Sequence, residues 1–205
     1  PEGLWEQIEA ALDALEEATG KEFGGSEGDT LLVSVRSGAV FSMPGMMDTV
    51  LNLGLNTTAT EALAAATDDE AFAWDAYRRL VQMYGRTVLG VDASLFETAL
   101  AAAAHSEGCP ASELPAAALK DLVTEFRLIL KDHAGEDLPQ DPREQLDRSL
   151  PAVFASWNSP RARVYRAHVG IPETLGTAVN VVEMVYGNTG PRSGCGVCFT
   201  RDPAT

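Results

Sequence analysis

The segment from Leu31 to Asn56, LLVSVRSGAVFSMPGMMDTVLNLGLN, constrains the fold more than any other part of the chain. An apolar run over Leu31–Arg36 predicts a strand, and the loop Ser37–Asp48, rich in Gly, Ser, Met and Pro, separates it from a second apolar run. Burying the Arg36 guanidinium at the end of a strand costs folding free energy unless an anion pairs with it. Gly38 lacks a side chain, so the backbone there can approach a ligand closely. The pattern therefore fits two alternatives, a phosphate or carboxylate site and an ordinary ion pair between Arg36 and a nearby aspartate.

The charge of the chain restricts its partners. The chain has 205 residues, enough for a sizeable core, and its formal net charge is −15 with a pI of about 4.5. A nucleic-acid interface needs a clustered basic face, and so does an anionic membrane surface, so we expect neither partner. No run approaches the ~18 apolar residues of a membrane-spanning helix. Since the chain begins without Met and stops just after a strand-and-turn pattern, we expect a fragment of a longer protein.

The three cysteines are too few for a disulfide framework and fit a reducing compartment, so we expect a cytoplasmic protein. Cys195 and Cys198 form a C-x-x-C, but a zinc site needs further ligands nearby and a redox motif needs a helix N-terminus. The pair lies instead in a strand-like run, Cys195–Arg201, where small packed residues are the better interpretation. The sequence therefore predicts no metal site.

Hydrophobic periodicity predicts a helical block placed within a smaller α/β unit. An opening helix over Leu4–Ala18 precedes the first strand, and helical spacing continues almost without interruption from Thr57 to His168. The helices predicted there are Thr57–Ala65, Phe72–Leu89, Ser94–Ala104, Glu113–His133, Arg143–Trp157 and one that opens at Pro160. A second strand over Thr177–Tyr186 and a third over Cys195–Arg201 follow, separated by a turn-forming loop. This order predicts an α+β fold with an inserted helical subdomain.

Two further features could carry chemistry. The loop Gly187–Gly196 lies between two predicted strands and is neither a Walker loop nor a Rossmann turn, because it lacks GxxxxGK[ST] and a following helix. Such a loop either folds over a triphosphate, offering backbone N–H groups to it, or is an ordinary hairpin loop. Arg161, Arg163 and Arg166 form the densest basic cluster. A solvated helix face is the usual interpretation, and a contact with an anionic substrate or a neighbouring domain is the alternative.

Four segments carry a resemblance to a known family. They are VRSGAVFSMPGMMDTVLNLGLN, FAWDAYRRLVQMYG, VFASWNSPRARVYR and GTAVNVVEMVYGNTGPRSGCGVCFTRDPAT. In this order, over about Lys21–Thr205, they closely resemble the N-terminal nucleotide-binding region of the pyruvate, phosphate dikinases. The segment SMPGMMDTVLNLG is specific, since the related phosphoenolpyruvate synthases share the SVRSS-like strand and the SG…FTRDP loop without it.

The resemblance implies a partial ATP-grasp-type nucleotide-binding domain. In it, residues 1–56 form the first part of the nucleotide-binding subdomain, 57–168 a large inserted all-helical subdomain, and 169–205 the return strands and glycine loop. The parent enzyme would use ATP and phosphate to phosphorylate a histidine and then pyruvate, giving phosphoenolpyruvate, AMP and diphosphate. The implied partners are ATP, the phosphohistidine domain of the parent chain, and a second copy in a homodimer.

The resemblance also assigns site residues by position. Arg36 matches the family arginine that contacts the ATP phosphates and is the catalytic candidate, since its planar fork suits phosphate oxygens. Further nucleotide contacts are expected from the loop after Arg36, from the strand beside the adenine and from the glycine loop over the phosphates. These residues are Ser37, Met43, Gly45, Met47, Thr49, Met184, Val185, Gly194, Cys195 and Gly196. We expect the Arg36 strand and the glycine loop to converge on a polyphosphate from opposite sides of one cleft.

Several family elements are absent from the sequence. These are the TGGMTSHA-like histidine motif, the later carboxylate and Gln/Arg elements that hold Mg²⁺ and phosphates, and an N-terminal lysine segment. Cys195 stands where a Thr or a similar small residue is expected. We therefore expect Mg²⁺ to accompany ATP with its ligands outside this chain, and the chain alone to be inactive. The alternatives are a non-catalytic protein-interaction module built on residues 57–168, and a water dikinase of the phosphoenolpyruvate synthase type.

Overall fold

The structure, a computed structural model, describes residues 3–28, 30–187 and 192–196. Within these residues the chain is mostly helical and carries one small sheet, so the α+β prediction is confirmed. The helices are α1 Leu4–Thr19, α2 Thr57–Thr67, α3 Glu70–Thr87, α4 Ala93–Glu107, α5 Ala116–Ala134, α6 Pro142–Ala155 and α7 Pro160–Val169, with short 3-10 turns at Ala111–Glu113 and Ser156–Asn158. In the part of the chain described, no helix is both long and apolar enough to cross a membrane.

The sheet has three antiparallel strands in the order β2-β1-β3. They are β1 Val33–Gly38, β2 Thr49–Leu53 and β3 Ala178–Glu183. Strand β1 therefore begins and ends two residues later than the hydrophobic pattern indicates. It is hydrogen-bonded on both sides, and Leu31 to Val35 are all buried, as expected for a central strand. The strand predicted over Cys195–Arg201, with Cys198, lies mostly outside the described residues, and its described part, Cys195 and Gly196, is irregular.

Capping residues move the helix boundaries away from those that periodicity predicts. Asn56 caps α2, since its side chain accepts a hydrogen bond from Ala59 N at 2.8 Å. Asp69 caps α3 in the same way. The single helix predicted over Glu113–His133 is wrong, because Pro115 divides it into a 3-10 turn and α5. A proline disfavours helical backbone in the residue before it, and Leu114 is accordingly extended.

One hydrophobic core joins the sheet to the helical block. Buried residues from α1, β1, β2, α3, α5 and α6 belong to a single cluster, and β3 packs on it through Val179 and Val181. Strand β2 contacts α3, and α6 contacts both β1 and β2. The division into residues 1–56, 57–168 and 169–205 stays a prediction, and the core crosses both of its boundaries.

Gln145 of α6 connects the helical block to the end of the β-hairpin. Its side chain is 0 % exposed, its Nε2 donates to Leu55 O at 2.9 Å and to Pro139 O at 2.7 Å, and its Oε1 accepts from Gly54 N at 3.1 Å. Gly54 has a φ of 109°, and a Cβ added there would lie 3.0 Å from Leu31 O. Two buried main-chain groups, Gly54 N and Leu55 O, and the partly buried Pro139 O thus share one side-chain amide as their partner.

Gln145→Leu should destabilise the fold by about 3 kcal/mol, because each buried main-chain group left without a partner costs roughly 1–3 kcal/mol. Urea unfolding measures this change in the free energy of unfolding. The matched control is Gln7→Leu on the exposed face of α1, where we expect a change within about 0.5 kcal/mol. Equal stability of the two variants would contradict the role assigned to Gln145.

Candidate functional site

A groove of about 550 Å³ lies at the end of β1, where the three strands bring polar residues together. Arg36 pairs across the sheet with Thr49 of β2 and with Asn180 of β3. The loop between β1 and β2 supplies the rest of the lining. The groove thereby collects six residues predicted from the sequence: Arg36, Ser37, Met43, Gly45, Met47 and Thr49.

Arg36 is exposed to this groove and is not neutralised there. Among the described residues no carboxylate forms an ion pair with its guanidinium, whereas seven other arginines each have one: Arg78, Arg79, Arg127, Arg143, Arg148, Arg161 and Arg166. The alternative of an ordinary strand-end ion pair is therefore not what the structure shows. A free guanidinium fork is suited to phosphate or carboxylate oxygens.

The described residues that line the groove include no Asp or Glu, although the chain carries a net charge of −15. The nearest acid along the loop is Asp48, and its carboxylate is held by Arg161 of α7. The remaining polar groups of the lining are the hydroxyls of Ser37, Ser42 and Thr49 and the Asn180 amide. The Arg36 guanidinium, surrounded by neutral hydroxyl and amide groups, makes this groove suitable for binding an anion in an otherwise acidic molecule.

Asn180 is a groove residue that the sequence analysis missed. A Cβ added to Gly38 would lie 2.6 Å from Asn180 Nδ2, so the amide can occupy its place only because residue 38 is glycine. The one available signal was an asparagine within the β-branched run of β3, since asparagine is depleted in strands. Its position opposite Arg36 follows from strand register, which a single sequence does not give.

The loop residues contribute unequally to the groove. Met43 is only 8 % exposed, and its side chain packs with Trp157, so it supports the groove wall more than it offers a free surface. Gly45 has a φ of 71° and occupies a turn closed by the hydrogen bond from Met46 N to Met43 O at 3.1 Å. That left-handed conformation explains why the loop carries glycine there.

Three of the other predicted residues line a second groove of about 290 Å³. Met184, Val185 and Cys195 line it together with Phe72 and Tyr186, whose rings meet edge-to-face at 5.0 Å. Asp75 and Arg79 of α3 also line it, and they are paired with each other. This groove is mainly apolar, with that ion pair at its side.

The two grooves are separated along the sheet. Arg36 pairs with Asn180, whereas Met184 N bonds to Leu32 O at 2.8 Å, four residues farther along β3, or about 13 Å. Cys195 lies against Gly187 beside Met184. The prediction that Arg36 and the glycine loop converge on one cleft is therefore wrong for the described part of that loop. Gly194 and Gly196 are exposed, and an added Cβ at either would meet nothing within 4 Å.

The basic cluster on α7 is only partly the solvated face that its spacing indicates. Arg166 is completely buried, with its guanidinium over the Trp157 ring at 4.3 Å and bonded to Glu173 at 2.8 Å. Arg161 bonds to the loop at Met46 O and Asp48, while Arg163 is exposed. Charge spacing alone did not reveal a buried arginine.

Displaced pKa values among the described residues belong to the helical block rather than to either groove. Burial raises the pKa of Tyr84, whose hydroxyl has no hydrogen-bond partner, and burial likewise raises the pKa of Tyr77. Burial alone would raise the pKa of Asp137, but hydrogen bonds from Arg127 and Lys131 lower it. These shifts reflect packing and ion pairs. No group of three or more His, Cys, Asp or Glu side chains suited to a metal is found in the described part.

Comparison with known proteins agrees with this arrangement. Residues 1–205, the whole chain, match the family described as pyruvate phosphate dikinase, AMP/ATP-binding domain. The chain belongs to this family. The family resemblance predicted from the sequence is therefore confirmed.

Curated pyruvate, phosphate dikinases are close relatives. The Clostridium symbiosum protein is 50% identical over 204 residues, covering 98% of this chain and 23% of the relative. The Giardia intestinalis protein is 49% identical, covering 100% and 23%. The Flaveria trinervia protein, described as chloroplastic, is 47% identical, covering 100% and 21%. The chain thus spans less than a quarter of the length of these pyruvate, phosphate dikinases.

Gly38→Ala tests the placement of Asn180 in this dikinase-family groove. The new methyl group should displace the Asn180 side chain, which can rotate, so we expect a stability change of less than about 1 kcal/mol. The side-chain amide resonance of Asn180 in an NMR spectrum should shift clearly. Gly176→Ala is the matched control, since a Cβ there meets nothing within 4 Å. An unmoved Asn180 resonance in the Gly38 variant would contradict the contact.

Proposed function

We propose that this chain supplies part of the ATP site of a pyruvate, phosphate dikinase, and that Arg36 binds the phosphates of the nucleotide. The observation that supports this most is an exposed arginine that, among the described residues, has no carboxylate partner and no acid in the lining of its groove, in a chain of net charge −15. The family match to an AMP/ATP-binding domain supports ATP as the anion. Arg36 would then offset the charge that develops on the transferred phosphoryl group.

The two grooves fit one nucleotide that lies along the sheet. The residues proposed to contact its phosphates are those of the first groove: Ser37, Met43, Gly45, Met47 and Thr49 beside Arg36. By the alternation of a strand, Asn180 and Val182 fall on one face of β3, and Val182 is 43 % exposed. Met184 follows the end of β3 and packs against the main core while lining the second groove. The apolar second groove at Met184 and Val185 would receive the adenine. We place Gly194, Cys195 and Gly196 at that end, as contacts from the side of the second groove.

Further parts of the proposal concern the parent enzyme. The fold would be ATP-grasp, and Mg²⁺ would accompany ATP and neutralise its phosphates, with ligands outside this chain. A histidine on a separate domain would receive the phosphoryl group and pass it to pyruvate, which gives phosphoenolpyruvate. The parent enzyme would be a homodimer. A cytoplasmic location stays a prediction, and plant relatives such as that of Flaveria trinervia are chloroplastic.

Arg36→Ala in the intact enzyme should slow phosphorylation of the histidine by ATP on the order of 10²–10³-fold, as the loss of one charge-stabilising donor does elsewhere. The exchange between phosphohistidine and pyruvate, which does not use ATP, should keep its rate. Rapid-quench measurement of each half-reaction distinguishes the two. Arg86→Ala, an exposed arginine that lines neither groove, is the control and should leave both rates unchanged. An equal loss in both half-reactions would falsify the assignment.

Phosphate dependence separates a phosphate dikinase from a water dikinase. We expect AMP formation by the intact enzyme to require inorganic phosphate and to yield diphosphate. Omission of phosphate, with pyruvate and Mg·ATP present, should abolish AMP formation. AMP formation at an unchanged rate, with phosphate released instead of diphosphate, would support the synthase-type alternative and contradict this part of the proposal.

A further inference from the structure

The loop 39–48, which we call the methionine loop, has little structure of its own. In the described structure, the turn bond from Met46 N to Met43 O is the only backbone hydrogen bond that we find inside it. Its residues are otherwise bends and turns that connect β1 to β2. Because it forms much of the wall of the first groove, the shape of that groove depends on what holds the loop from outside.

A platform formed by the start of α7 and the turn before it holds the methionine loop. Asp48 N donates to Ser156 Oγ at 3.1 Å, and Arg161 Nε donates to Met46 O at 3.0 Å. The Arg161 guanidinium also binds the Asp48 carboxylate. The loop is thereby attached to the platform through both main-chain and side-chain atoms near its C-terminal end.

Apolar packing provides the other attachment. Met43 is buried in a small cluster, separate from the main core, whose other buried members are Trp157, Ala162 and Ile171. Met46 and Met47 pack against the same cluster. Met43 of the methionine loop and Trp157 therefore belong to one packed cluster, and the position of the loop depends on that cluster.

Arg166 fixes Trp157 from two directions. Its guanidinium lies over the indole ring at 4.3 Å, and its Nη1 donates to the Trp157 carbonyl oxygen. The side chain is 0 % exposed, yet its partner carboxylate, Glu173, is 64 % exposed, and its Nε has no hydrogen-bond partner in the described structure. One ion pair to an exposed carboxylate offsets the cost of burying this charge only in part, so the ion pair by itself is weak evidence for a role in stability.

We propose that Arg166 is a positioning residue for the methionine loop, and through that loop for nucleotide binding in the first groove. It does not line that groove, so it acts by orienting Trp157 and thereby Met43 rather than by its charge. A planar guanidinium can stack on the indole and donate to the carbonyl at once, whereas an ammonium has no plane to stack. The consequence for ATP rests on the proposed function, while the effect on the loop does not.

Arg166→Lys in the intact enzyme tests the proposal, because it keeps the charge and removes the planar fork. Hydrogen exchange at the Met46 and Met47 amides should accelerate at least about tenfold, while exchange in β1 and α5 stays unchanged. KM for ATP should rise about tenfold, since a small displacement of a binding wall is sufficient for such a change. The phosphohistidine–pyruvate exchange rate should not change.

Arg127→Lys is the matched control, because Arg127 is also held by a carboxylate, Asp137, but contacts no part of the methionine loop. Trp157→Phe is the second variant should Arg166→Lys fail to fold, and it should also accelerate loop exchange. Unchanged loop exchange in the folded variant would overturn the positioning role. Faster loop exchange with an unchanged KM for ATP would support the positioning of the loop and contradict the proposed nucleotide site.

Discussion

The rest of the proposed site depends on the electrostatic isolation of one guanidinium at the end of β1. The chain carries 30 acidic residues against 15 lysines and arginines, so most arginines are expected to find a carboxylate. Among the described residues Arg36 does not, and the acid closest to it along the loop, Asp48, is held by Arg161 from α7. An unneutralised guanidinium, in a groove whose described lining has no acid, suits the phosphates that we propose bind there.

The first groove is built from segments that lie far apart in the sequence. The methionine loop forms much of the wall of the first groove, and the loop packs against the turn before α7. Asn180, which also lines this groove, follows the whole helical block in the sequence. The main core joins these parts, because β1 and β2 pack directly on α6. The helical block is therefore more than an insertion that the site tolerates, since it fixes both ends of the hairpin that carries Arg36.

The sequence predicted what is local and missed what depends on register or burial. The strand-end pattern singled out Arg36 and Ser37, the family resemblance added Thr49, and hydrophobic periodicity located the helices to within a few residues. Periodicity could not place Asn180 opposite Arg36, because pairing between distant strands leaves no local signal. Nor could it show Arg166 as buried, since its spacing from Arg161 and Arg163 is that of an exposed face.

The convergence of Arg36 and the glycine loop failed for the same reason. Both segments carry residues typical of phosphate contacts, but β1 and β3 are antiparallel, so the end of β1 lies beside the start of β3 and away from the loop that follows it. Two motifs of similar chemistry were therefore placed at one site, although the positions opposite Arg36 and Leu32, Asn180 and Met184, lie about 13 Å apart along the chain. The extended nucleotide proposed above would span both positions.

The most direct test is the structure of the intact enzyme with Mg²⁺ and a non-hydrolysable ATP analogue. We predict that the Arg36 guanidinium lies within about 3 Å of phosphate oxygens, with the adenine beside Met184 and Val185. Phosphates bound elsewhere, with Arg36 facing only water, would contradict the account.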